Sequence, residues 1–280
     1  MMMLSVLNAN GQFSYGFRAG LSYSKLVGDH ETDDAGNTLD DYRFASGFHI
    51  GLSVNYAVTD LFGFRGELVF TQRGTQYRYE GDSYYFLERR TTKERVLPGK
   101  RIMDYNVSMA SFEVPLMSYF KIGSLEISGG VNAAVIMSSS GGGSLTFEGV
   151  APSGKAVDPF KVILQYNFNK DNAQEASLPD LPVKVDGVTL LTPHTVGAYY
   201  DFDEKHGNAF KAIDFGLVGG LAYYLNEGLY LSGRVSYGLL DADDNQYDIS
   251  YYKLGPGNSY IQRSDKNQHL TMQMSIGFLF

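Results

Sequence analysis

Eight stretches of this 280-residue chain alternate between apolar and non-apolar residues, and a period of two marks a strand with two different faces. In the first stretch Phe13, Tyr15, Phe17, Ala19, Leu21 and Tyr23 share one face, and Ser14, Gly16, Arg18, Gly20, Ser22 and Ser24 share the other. In the second, Phe48, Ile50, Leu52, Val54 and Tyr56 oppose His49, Gly51, Ser53 and Asn55. The pattern returns at 62–73, 112–122, 125–138, 213–225 and 229–239, with Ser138 read on the same face as Ser128, Gly130 and Asn132. In the last stretch Leu270, Met272, Met274, Ile276, Phe278 and Phe280 oppose His269, Thr271, Gln273, Ser275 and Gly277.

Soluble sandwiches alternate too, so the make-up of the two faces decides. One face is large and aromatic. The other is built of Gly, Ser, Ala and isolated charges, too small for a sandwich interior and too poor in Lys and Glu for a solvated exterior. A closed barrel with lipid outside and a narrow, filled interior needs these two sets. Spanning helices are excluded, since the longest apolar runs, Met1–Leu4 and Ala133–Met137, fall far short of the ~20 residues a spanning helix requires. The chain has no Cys, which removes disulfides, thiolate metal sites and cysteine nucleophiles together. Its net charge of -8 argues against a nucleic-acid partner.

The connections follow a rule. Thr59–Leu61, Gly123–Ser124 and Asn226–Gly228 are short, whereas about 25–43, 74–104, 139–211 and 241–267 are long. Short and long links alternate, as in outer-membrane barrels with short periplasmic turns and long extracellular loops. The sequence therefore predicts an all-β fold: a transmembrane antiparallel β-barrel of about eight strands in the outer membrane of a Gram-negative bacterium, loops extracellular and termini periplasmic. Residues 1–12 read as the remnant of a signal peptide or an N-terminal tail, and 13–280 as one barrel domain. The insertion at about 139–211 is too long for a plain loop. Within it Val162–Phe168 and Val183–Leu191 read as short extra strands that extend the wall or form a lid.

Three segments carry a family resemblance. They are Phe112-Glu113-Val114-Pro115-Leu116, the run Asp214 to Tyr223, and Arg234-Val235-Ser236-Tyr237-Gly238-Leu239. In this order the chain resembles the PorT-like outer-membrane β-barrel family of the Bacteroidota, from about Phe13 to Phe280. The resemblance implies an eight-stranded barrel, a signal peptide and no assigned catalytic residues.

Four groups of residues are candidates for chemistry. Arg18, Arg65, Arg73, Lys121 and Arg234 face inward with Glu67, Glu113, Glu126 and Asp214, and in a narrow lumen each charge needs a partner. These are read as a charge-paired plug rather than an ion path. Phe278 and Phe280, closing the last strand, read as a signal for the barrel-assembly machinery. The loops are rich in Tyr, and Tyr84, Tyr85, Tyr199, Tyr200, Tyr251 and Tyr252 are expected to contact a partner. The acidic runs around Asp29–Asp34, Asp40 and Asp41, and around Asp241–Asp248, lack the spacing of a calcium loop. They read as solvated tips, with no metal site and no cofactor.

The function expected from this is binding or scaffolding within an outer-membrane complex. The partners expected are membrane lipid and lipopolysaccharide, the assembly machinery during biogenesis, and another outer-membrane or surface protein. A passive porin is one alternative. A loop-borne hydrolase around His30 or His206 is another, but no catalytic spacing supports it and the chain is not expected to be an enzyme.

Overall fold

A computed structural model describes residues 12–89 and 94–280. The expected leader segment thus lies almost wholly outside the described residues. The strands are β1 (Gln12–Val27), β2 (Asp40–Ala57), β3 (Phe62–Leu87), β4 (Arg95–Ile122), β5 (Leu125–Gly149), β6 (Phe160–Asn167), β7 (Ala176–Val185), β8 (Val188–Val196), β9 (Ile213–Tyr224), β10 (Leu229–Gly238), β11 (Ile249–Leu254), β12 (Tyr260–Gln262) and β13 (Gln268–Leu279). Eight of them close into a ring in the order β4-β3-β2-β1-β13-β10-β9-β5, with β5 hydrogen-bonded back to β4. Every pairing in the ring is antiparallel.

The short links, 58–61, 123–124 and 225–228, lie at one end, where β1 starts and β13 finishes. Each has a local reason. Gly123 takes φ +58° at the first position of a two-residue hairpin, a conformation that glycine adopts without steric penalty. The Asn226 side chain accepts from the amides of Gly228 at 3.0 Å and Leu229 at 2.7 Å. Thr59 does the same for Leu61 and Phe62.

The apolar faces point outward, as the alternation predicts. Phe13, Leu21, Leu52, Phe64, Leu68, Leu116, Ile127, Leu217, Leu221, Met274 and Ile276 are all exposed. A continuous belt of such residues wraps the ring, and only lipid is a suitable solvent for it. The opposite face is buried in the lumen. Ser138 departs from the prediction. Ser111 pairs with Ile136 but Ala110 pairs with Ser138, so a bulge at Met137 reverses the parity of β5 beyond it. Ser138 is exposed and Ser139 is buried.

The larger departure lies at the long-loop end. Most of 74–104 and the start of 139–211 are strand, not loop. β3, β4 and β5 run to 26, 28 and 25 residues, whereas β9, β10 and β13 have 12, 10 and 12. About 9–11 tilted residues cross a bilayer, so the shorter strands just span and the longer ones stand well above it. Above the belt the faces exchange character. Gln76, Glu80, Asn106 and Asp104 are exposed outside, and Tyr77, Tyr79, Met103, Leu145 and Phe147 are buried inside. On the outer wall Glu80 pairs with Arg78 at 2.9 Å and Lys100 at 2.7 Å.

The first expected extra strand is β6, which pairs with β5 and raises the wall. The second, Val183–Leu191, is not one strand. Asp186 and Gly187 take φ +50° and +80°, and they turn β7 into β8 with Val185 opposite Val188. This hairpin joins the sheet through β8, parallel to β6. Its buried Val183, Val185 and Leu190 pack into the same core as Tyr79, Leu145 and Phe147. β11 and β12 form a separate small hairpin.

Candidate functional site

The lumen of the belt is filled by side chains from facing strands. Glu67 on β3 accepts from Arg18 Nε on β1 at 2.9 Å and from both terminal nitrogens of Arg234 on β10 at 2.7 and 2.8 Å. Arg18 also donates to Gln273 at 3.1 Å and to Ser275 at 3.0 Å, both on β13. His49 is held between Ser275 at 2.7 Å and Ser22 at 3.1 Å. Nearer the short-turn end Arg65 grips Glu126 with two bonds of 2.7 and 2.9 Å, and Tyr224 donates to the same carboxylate at 2.9 Å. Toward the loops Arg73 lies 3.2 Å from Asp214 and 3.9 Å from Glu113.

The structure thus pairs eight of the nine predicted charges, four arginines and four carboxylates that balance in total, in three clusters along the lumen: Arg18 and Arg234 on Glu67, Arg65 on Glu126, and Arg73 with Asp214 and Glu113. Bidentate arginine–carboxylate geometry compensates the loss of water at Arg65–Glu126 and Arg234–Glu67, whereas Arg73 holds Asp214 by one bond. Lys121 stands apart. Its ammonium lies 3.9 Å from the centre of the Tyr224 ring, a cation–π contact rather than an ion pair. The neutral members Gln273, Ser275, His49, Asn55 and Tyr224 were not singled out from sequence. Their inward parity was legible, but a neutral polar side chain announces no partner.

Phe278 and Phe280 are exposed, with ring centres 6.2 Å apart. Phe280 closes the barrel seam by exchanging backbone bonds of 2.9 and 3.1 Å with Tyr15.

The loop tyrosines sit elsewhere than expected. Tyr84, Tyr85, Tyr199 and Tyr200 are 5%, 6%, 0% and 5% exposed, so they build the core above the belt rather than an open contact surface. Tyr84 donates to the Ser250 carbonyl, Tyr85 bonds Thr192, and Tyr199 donates to the Phe168 carbonyl. Tyr251 and Tyr252 are half-buried, with Tyr251 under the Arg101 guanidinium at 4.5 Å and Tyr252 beside Lys253 at 4.9 Å.

Of the acidic runs, Asp29 and Asp34 are exposed as expected, but Glu31, Asp40, Asp243 and Asp248 are not solvated tips. The two runs fold against one another around Arg263, which lies 3.3 Å from Asp40, 2.7 Å from Asp265, 3.9 Å from Glu31 and 4.0 Å from Asp248. Glu31 accepts from Ser250 and from the amides of Tyr251 and Tyr252, which ties the 28–39 loop to β11. Burial is the largest influence on Asp243 and Asp248. A neighbouring carboxylate adds to it, Asp241 beside the first and Asp265 beside the second, and they are pushed up to about 7 and about 8. Among the described residues no group of three or more His, Asp or Glu is arranged to hold a metal ion.

Between this acidic cluster and the wall lies a cavity of about 130 Å³. Its wall is a ribbon of rings. Tyr42 of β2, Tyr77 of β3 and Tyr105 of β4 are cross-strand neighbours, with ring centres 5.2 and 5.2 Å apart. Tyr166 of β6 follows at 5.5 Å, then Phe168 at 5.5 Å and Phe210 at 4.9 Å. Gly143 on β5 makes the ribbon continuous, since a Cβ there would sit 2.5 Å from the Cβ of Tyr105.

A closed ring of eight antiparallel strands with a lipid-compatible belt and a polar lumen defines an outer-membrane β-barrel. The chain belongs to the outer membrane protein beta-barrel domain family, whose model matches residues 8–244. No curated protein matches it. Among solved structures, Ail of Yersinia pestis, solved with the heparin analogue sucrose octasulfate, is 12% identical at a TM-score of 0.38, covering 96% of this chain and 99% of that one. OprG of Pseudomonas aeruginosa is 14% identical at 0.36, covering 95% of each chain. Neisserial surface protein A is 10% identical at 0.32, again covering 95% of each. These likenesses are of fold alone.

Proposed function

We propose that this outer-membrane barrel is a closed platform, a binding or scaffold subunit of an outer-membrane complex. The observation that carries the reading is the double closure of its axis. Three clusters of ion pairs fill the belt, and an apolar core lies above them. In this reading the short-turn end with the strand termini is periplasmic, and the tall β3–β8 wall is extracellular. The belt meets lipid and lipopolysaccharide, Phe278 and Phe280 are read by the assembly machinery, and another outer-membrane or surface protein docks on the outer wall. That role extends the resemblance to PorT-like barrels.

Planar-bilayer recording tests this directly. The purified barrel gives no steady open state, whereas a large, lasting conductance would sink the closed-platform reading in favour of a porin. We also propose that the chain does no catalysis. His30 pairs with Asp40 at 2.9 Å and His206 with Glu204 at 3.3 Å, at separate places. The same preparation should then show no peptide hydrolysis; turnover abolished by His30→Ala or His206→Ala would overturn that.

A further inference from the structure

The tyrosine-walled cavity is poorly explained as packing. Buried tyrosines ordinarily find a partner for the hydroxyl. Tyr42, Tyr77, Tyr105 and Tyr166 line this cavity, and among the described residues none hydrogen-bonds to their hydroxyls, which stay accessible rather than sealed. Asp243 and Asp248 line the same cavity, and each has a buried carboxylate oxygen with no donor among the described residues. The polar neighbours they do have include carboxylates, Asp241 and Asp265. Electron-rich ring faces, free hydroxyls and under-compensated negative charge around one recess are the components of a cation site.

We propose that this cavity binds a small organic cation, an amine carried as its ammonium, seated against the Tyr42–Tyr77–Tyr105–Tyr166 ribbon with Asp243 and Asp248 as its counter-charges. A hydrated divalent metal fits less well. Such ions want six or more oxygens, and most of the wall here is aromatic. Asp201, Asp244 and Arg263 also face the cavity, and Asp40, Asp241 and Asp265 stand behind them, with Lys211 on Asp241 at 3.0 Å. Carboxylates thus outnumber the basic groups, and a bound ammonium relieves that excess. Protons compete for the same two carboxylates, which sit at about 7 and about 8, so affinity rises between roughly pH 6 and 9.

The inference stands apart from the platform reading, because it needs no partner protein and its test uses no conductance. The full-length barrel in detergent is titrated calorimetrically with benzylammonium and with benzyl alcohol, its neutral counterpart. Benzylammonium is expected to bind at least about tenfold more tightly at pH 9, and the advantage to shrink at pH 6. The paired change Asp243→Asn with Asp248→Asn removes charge at nearly constant shape and should erase the advantage. Heat-modifiability on a gel confirms that the variant remains folded. Tyr105→Phe keeps the ring face and should bind as wild type, and Tyr105→Leu should bind more weakly. Equal binding of amine and alcohol, or an advantage that survives the paired variant, overturns the proposal. Displacement of benzylammonium by Ca²⁺ at millimolar concentration overturns it too, in favour of a metal.

Discussion

Two guanidiniums, Arg18 and Arg234, share the single carboxylate of Glu67. Replacing Glu67 with Gln leaves both cations buried in the lumen without compensation, and such a loss costs about 3–5 kcal/mol. The temperature at which the folded band shifts on a gel should fall sharply. Lys121→Gln removes only a rim cation–π contact worth about 0.5–1 kcal/mol and should hardly move it; equal effects would deny the network its role. Asp243 and Asp248 set a pH dependence of opposite sign to the usual carboxylate case. Their folded values lie above the ordinary one, at about 7 and about 8, so their stabilising effect is present in acid and lost as pH rises through that range. Hydrogen exchange in 241–267 should therefore quicken from pH 6 to pH 9 beyond its intrinsic rate, and the paired Asn variant should remove that excess. The inward charges were legible in the sequence because a charge in a narrow lumen must pair. The Arg263 cluster was not. Its members come from 28–41 and 241–265, and only the closed ring brings those segments together.

At the level of strands, the sequence disclosed the belt and concealed the wall. Phe64, Leu68 and Phe70 advertise β3 by alternation. Above them the apolar residues pass to the opposite parity at Tyr77 and Tyr79, and the outward positions become Gln76, Arg78 and Glu80. A reader who follows one apolar face sees the strand end there. Physically only the solvent has changed, from lipid to water, so the apolar side must turn inward. The chain contains no Trp, which permits a clean test. Phe64→Trp should be quenched by brominated acyl chains and Gln76→Trp should not. Quenching at both positions would bury the wall in the bilayer and refute the exchange of faces.

The whole molecule is then two cores built on one continuous sheet and held together by different forces. In the belt, lipid covers the outside and ion pairs fill the inside. Above it, burial of Leu97, Met103, Leu145, Phe147, Val162 and Leu190 away from water sets the stability. Urea weakens hydrophobic burial in proportion to the surface that unfolding exposes to water, and it acts far less on a belt whose apolar face never leaves a micelle. The two cores should therefore part under denaturant. Hydrogen exchange at rising urea is expected to release the β6–β8 leaf and the upper halves of β3–β5 first, while β9, β10, β13 and the lower halves of β1–β5 stay protected. Those long strands cross the boundary, β5 through its bulge at Met137, so protection should fall along each of them within a few residues of Arg73, Ala110 and Met137. A single transition uniform along β3, β4 and β5 would mean that the continuous backbone ladder, 24 paired positions between β3 and β4 alone, couples the two cores more tightly than their separate solvents divide them.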